Sequence, residues 1–131
     1  MALTSLSGKV ALVTGGSLGI GRAIVLALAR EGADVAFTFL GFRGRAGEQE
    51  DVATEVRSLG RRCLAVESDV SKFRDAEAVV RRVVGELGGL HILVNNAGIT
   101  RDGVIWKMDE EQWDSGDEQL ITYRHGQHDN E

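Results

Sequence analysis

Thr14-Gly15-Gly16-Ser17-Leu18-Gly19-Ile20-Gly21 follows the apolar run Val10-Ala11-Leu12-Val13 and opens a helical pattern. A bound pyrophosphate requires that order of strand, glycine turn and helix. The turn must bring backbone N–H groups close to the phosphates. A Cβ on Gly15, Gly19 or Gly21 would obstruct that approach or the helix–strand packing behind it. The first turn of the helix adds unpaired donors and a partial positive charge. A glycine cluster alone marks only a tight turn; the strand before it and the helix after it make this one a nucleotide site.

Outward from that turn, strand and helix signals alternate. Lys9–Val13 reads as a buried strand, and Gly19–Glu31 as a helix stopped by Gly32. Asp34–Leu40 is a second strand. The turn Gly41-Phe42-Arg43-Gly44-Arg45 leads to a helix over Gly47–Leu59, ended by Gly60. Cys63–Glu67 is a third strand, and Ser71 is placed to cap a helix running to Leu87. Gly88-Gly89 stops it, and Ile92-Leu93-Val94 is the fourth strand. This alternation predicts an α/β fold of the Rossmann type: a doubly wound parallel sheet of about four strands, order 3-2-1-4, with helices on both faces. The near-continuous apolar strands agree, because such strands are buried on both sides.

The regular pattern fades after Gly98. Met108–Trp113 reads as one or two helical turns, and 115–131 shows no sustained period of 2 or 3.6 around the isolated pair Leu120-Ile121. Charge shifts at the same place: 1–108 carry 14 basic and 12 acidic side chains, and 109–131 carry one Arg and 8 acids. The chain therefore divides into a dinucleotide-binding domain over 1–114 and an acidic tail over 115–131 that is expected to be disordered, irregular or loosely docked.

The whole chain has 131 residues, 43% apolar and 27% charged, with a net charge of −5, and describes a globular domain able to bury a core. No basic stripe suits nucleic acid, and no apolar run is long enough to span a bilayer. The N-terminus lacks a secretory pattern and Cys63 stands alone, so a reducing, cytoplasmic setting is expected, with Cys63 as a core residue. His125 and His128 lack a third ligand nearby, so no metal site is expected, and His91 reads as a strand-boundary residue. Trp106 and Trp113 are expected to pack the last helical turns against the sheet.

Three features follow three different strands. The glycine turn follows the first, Asp69-Val70 the third, and Asn95-Asn96-Ala97-Gly98 the fourth. In a parallel sheet of the expected order they converge on one crevice. An Asp there can accept from an adenine amino group, and Gly98 lets the backbone pass close to a ribose or nicotinamide. Taken singly, Asp69 would serve as a helix cap and Asn95 as a buried bridge between strands.

Together these residues resemble the short-chain dehydrogenase/reductase family. The likeness covers about 5–113 and rests on the pattern T-G-x-x-x-G-x-G from Thr14 to Gly21, on Asp69-Val70, on Asn95-Asn96-Ala97-Gly98 and on the spacing between them. Within the family, Gly98-Ile99-Thr100-Arg101-Asp102 is most similar to 3-oxoacyl-[acyl-carrier-protein] reductases. The resemblance implies an oxidoreductase that moves hydride between a nicotinamide dinucleotide and a carbonyl or alcohol. It also implies that Gly15, Ser17, Leu18, Gly19, Ile20, Gly21, Arg43, Asp69, Val70, Asn95, Asn96, Ala97 and Gly98 line the cofactor.

Cofactor choice is legible in the residues themselves. A preference for NAD(H) shows as an acid at the end of the second strand, bonding the ribose 2′-hydroxyl. Here that strand ends Thr38-Phe39-Leu40-Gly41, and Asp34 lies at its other end. Arg43 and Arg45 follow at once, and a guanidinium suits a 2′-phosphate. NADP(H) is therefore favoured over NAD(H).

The family's hydride step needs a Tyr made acidic by a Lys four residues on, because a phenol near pKa 10 is a poor base at neutral pH. It also uses a Ser at the substrate carbonyl and an Asn on the helix after the N-N-A-G segment. Tyr123, the one Tyr present, is followed by Arg124, His125, Gly126 and Gln127, and Leu120 stands where that Asn would fall. The expectation is a cut-short reductase that keeps dinucleotide binding and lacks the Ser, Tyr and Lys. The alternative is a non-catalytic regulatory module that associates with itself or with full-length relatives through its acidic tail and the open sheet edge beside the fourth strand. A phosphate-loop protein or methyltransferase is disfavoured by the lack of Gly-Lys-Ser/Thr and by Asn95-Asn96-Ala97-Gly98.

Overall fold

In the computed structural model, residues 6–17, 19–41, 47–69, 72–96 and 121–124 are described. The elements run β1 (Val10–Val13), α1 (Gly19–Arg30), β2 (Asp34–Phe39), α2 (Glu48–Ser58), β3 (Cys63–Glu67), α3 (Phe73–Leu87), β4 (Ile92–Asn95) and β5 (Ile121–Arg124). The strands form one parallel sheet in the order β3-β2-β1-β4-β5, so the expected 3-2-1-4 arrangement is present and a short fifth strand is added to it.

Central β1 is buried at all four positions, as its unbroken Val-Ala-Leu-Val run requires when helices cover both faces. On one face, Val25, Leu26 and Ala29 of α1 and Val52 and Val56 of α2 pack with Val13, Val35, Phe37 and Val94 of the sheet. On the other, Ala76, Val79, Val80, Val83 and Leu87 of α3 pack with Val10, Leu12, Ala36, Val66 and Leu93. The sheet is doubly wound. Each fully buried Val, Leu or Phe in these layers contributes about 1.5–3 kcal/mol relative to exposure.

Helix ends follow the glycines. Gly32 takes φ 108° and donates its N–H to the Ala29 carbonyl at 3.0 Å. Gly88 closes α3 in the left-handed region at φ 89°, its N–H bonding the Val84 carbonyl at 2.9 Å. At the start of α3 the cap position falls on Lys72, whose carbonyl accepts from the Ala76 N–H at 2.9 Å, without a side-chain cap. Ser71, the expected cap, lies outside the described residues.

One expectation is corrected at the sheet's far side. Within the tail over 115–131, Ile121–Arg124 pair in parallel with Ile92–Asn95. The edge of β4 is consequently taken by β5 and is not open. The physical reason is non-local. Ile-Thr-Tyr-Arg is too short to announce itself, and the unpaired N–H and C=O row of β4 supplies the partner that makes it a strand. The intervening 97–120 are long enough for a parallel crossover. Met108–Trp113, Trp106, His125 and His128 lie outside the described residues.

Candidate functional site

Because all strands are parallel, their carboxyl ends share one edge, and the order reverses between β2-β1 and β4. Thr14 leaves β1 at this point and is fully buried. Its hydroxyl donates to Asn95 Oδ1 at 3.2 Å and accepts the Asn96 backbone N–H at 2.8 Å. Asn96 Nδ2 donates to the Gly15 carbonyl at 3.2 Å, and the Thr14 N–H bonds the Val94 carbonyl at 3.0 Å. The glycine turn and the Asn95-Asn96 pair are thus one hydrogen-bonded unit across the switch point.

A third element joins it. The Gly15 N–H donates to Thr38 Oγ1 and the Gly16 N–H to the Thr38 carbonyl, each at 3.0 Å. Thr14, Thr38 and Asn95 are the buried polar side chains of the described residues, and all three serve this junction. A buried polar group without a partner costs about 1–3 kcal/mol, so the junction is rigid when complete and expensive to leave incomplete. Sequence reasoning missed Thr38, which it read only as a strand-end residue without a charge. Its role depends on the β1–β2 pairing, which puts its hydroxyl over the turn.

The glycines divide by task. A Cβ on Gly16 would come within 2.5 Å of Phe37 Cβ and 2.9 Å of Val25 Cγ2, and one on Gly21 would strike the Gly15 carbonyl and approach Asn96 Nδ2 to 2.6 Å. These two let α1 lie against the sheet. Gly16 was not among the residues singled out for this; Gly21 was. Gly19 is different: its φ is +54° and a Cβ there meets no protein atom within 4 Å. The steric need at Gly19 is therefore left–handed backbone and an open face, which suits a ligand approaching the helix N-terminus. Gly15 also has positive φ, 71°.

The Gly15 and Gly16 N–H groups are committed internally, and Gly19, Ile20 and Gly21 open α1, where the first-turn N–H groups of a helix lack intrahelical partners and are available to an anion. No acid stands in the first turn of α1 to compete. Ser17 is half-buried beside them, and the Ile20 side chain is 56% exposed at the mouth. These residues fit a pyrophosphate. Leu18, Arg43, Val70, Ala97 and Gly98 lie outside the described residues.

Asp69 follows β3 on the same edge. It is half-buried, its carbonyl accepts the Lys72 N–H at 3.1 Å, and with Leu40, Gly41, Glu67 and Ser68 it lines an open groove of about 460 Å3 bounded by α3. Asp34, at the opposite end of β2, is held by Arg62 at 2.9 Å and so cannot serve a ribose here. His91 precedes β4 at that far end too, where its Nδ1 accepts the Val10 N–H at 3.0 Å; it is a boundary residue. Cys63 is half-buried against the α1–α2 layer. Burial pushes its thiol up to about 11, outweighing the nearby Arg57 guanidinium, which lowers it; Glu50 raises it further. Such a thiol stays protonated at neutral pH and is a poor nucleophile.

A doubly wound sheet with a glycine turn bonded to the end of its fourth strand defines a dinucleotide-binding α/β domain. The sequence profile of the short chain dehydrogenase family matches residues 9–116, and the chain belongs to that family. It is 43% identical over 106 residues to the 3-oxoacyl-[acyl-carrier-protein] reductase of Staphylococcus aureus, covering 81% of this chain and 42% of that protein. It is 45% identical over 114 residues to nodulation protein G of Azospirillum brasilense, covering 84% of this chain and 44% of that one. A short chain dehydrogenase from Burkholderia cenocepacia, solved in complex with NADP, superposes with a TM-score of 0.67 at 47% identity, over 72% of this chain and 38% of that structure. The chain thus spans about two fifths of the length of these relatives. Among the described residues no helix is long and apolar enough to cross a membrane.

Proposed function

We propose that these residues form the cofactor-binding half of an NADP(H)-dependent reductase similar to the 3-oxoacyl-[acyl-carrier-protein] reductases. The observation that carries this reading is the junction of Thr14, Thr38, Asn95 and Asn96, which fixes the turn while leaving Gly19 open. In this reading the N–H groups of Gly19, Ile20 and Gly21 bind the pyrophosphate, with Ser17 and Leu18 beside it. Asp69 and Val70 face the adenine, and Asn96, Ala97 and Gly98 line the path toward the nicotinamide. The cofactor, when bound, supplies or accepts hydride at its nicotinamide ring. Asn95 holds Thr14, and through it the turn, in place.

NADP(H) preference over NAD(H) is supported by the lack of an acid at the end of β2 and by Arg43 and Arg45 just after it. Titration of the purified chain with NADPH, followed by nicotinamide fluorescence, tests the binding; no change at millimolar cofactor contradicts it.

A further inference from the structure

β2 ends without an acid, yet a carboxylate stands beside its end. Register pairs Phe39 with Glu67, the last residues of their strands, and the Ser68 N–H clips to the Phe39 carbonyl at 3.0 Å. From there the Glu67 side chain lies against Gly41. A Cβ on Gly41 would collide with Glu67 Oε2 and come within 2.9 Å of its Cδ and 3.4 Å of Oε1. The Glu67 residue is exposed, and among the described residues no ion pair involves it.

In a doubly wound domain the ribose 2′ position is read at the carboxyl end of the second strand, where an acid bonds a hydroxyl and repels a phosphate. Here the neighbouring strand delivers the acid to that place. Gly41 has no side chain to shield it. We propose that Glu67 is a cofactor-discriminating residue: its carboxylate accepts from the ribose hydroxyls of NAD(H) and opposes the 2′-phosphate of NADP(H). This deepens the dinucleotide reading and rests on it. Glu67 shifts the preference toward NAD(H).

The test compares NADPH and NADH titrations of the wild-type chain, Glu67→Gln and Glu67→Ala, with circular dichroism of each. Glu67→Gln keeps the shape and removes the charge, and Glu67→Ala also removes the reach. Both variants should bind NADPH more tightly relative to NADH, by roughly tenfold at low salt and less at high salt. An unchanged ratio in the variants, with both cofactors bound, overturns the role of Glu67 alone. Failure of the wild type to bind either cofactor overturns this inference together with the dinucleotide reading.

Discussion

The two ends of the crevice are built on opposite principles. At the phosphate end, Thr14, Thr38, Asn95 and Asn96 spend their hydrogen bonds on the protein, and nearly every group is buried and paired. At the ribose end, Leu40, Gly41, Glu67 and Asp69 are half-buried or exposed around an open groove. In the proposed reading, the first end positions a ligand through backbone that must not move, and the second selects it through charges that can vary at little structural cost. Substitutions at the first end should therefore act on stability, and those at the second on cofactor choice.

Gly21→Ala should have the largest effect. Its Cβ meets the Gly15 carbonyl and the Asn96 amide, neither of which can yield without opening the junction, so a loss of about 3 kcal/mol is expected in urea unfolding. A change below about 1 kcal/mol would show that the junction is softer than the contrast requires. Thr38→Val preserves shape and leaves the Gly15 N–H without its acceptor. It should cost about 1–3 kcal/mol by the same measurement. Gly19→Ala separates the two principles within one loop. Open space and a φ of +54° predict a stability loss of only about 1–2 kcal/mol, with NADPH affinity falling by roughly tenfold or more because the methyl fills the ligand's approach. Equal affinity for wild type and Gly19→Ala would place the phosphates elsewhere.

The smallest effect lies away from both ends. Cys63 titrates at about 11 in the folded chain against an ordinary 9.0. Between those values the folded state holds a proton that the unfolded state has released, so stability falls as pH rises through that window. Cys63→Ser should flatten that part of the pH–stability curve; an unaltered slope would assign the loss to other groups.

Much of this was legible in the sequence, because β1 to β4 are continuous apolar runs and the helices α1 and α3 stop at glycines. The order 3-2-1-4 followed from the alternation and the handedness of crossovers. What escaped was set by contacts between distant segments. Ile121–Arg124 is a strand only because β4 offers an edge. The importance of Thr38 needs the β1–β2 pairing, that of Gly16 needs Phe37 beneath it, and that of Glu67 needs its register with Phe39. In the glycine turn the pattern points to a site. Only the structure separates Gly19, which faces outward, from Gly16 and Gly21, which pack inward.

The central claim is that the open side of this turn holds a dinucleotide phosphate. A titration of 15N-labelled chain with NADP+, read residue by residue in amide NMR spectra, tests it most directly. The amides of Gly19, Ile20 and Gly21 should shift most, with smaller changes near Glu67 and Asp69 and none at His91, on the opposite end of the strands. Shifts that spare the turn, or that centre on the His91 end, would contradict it.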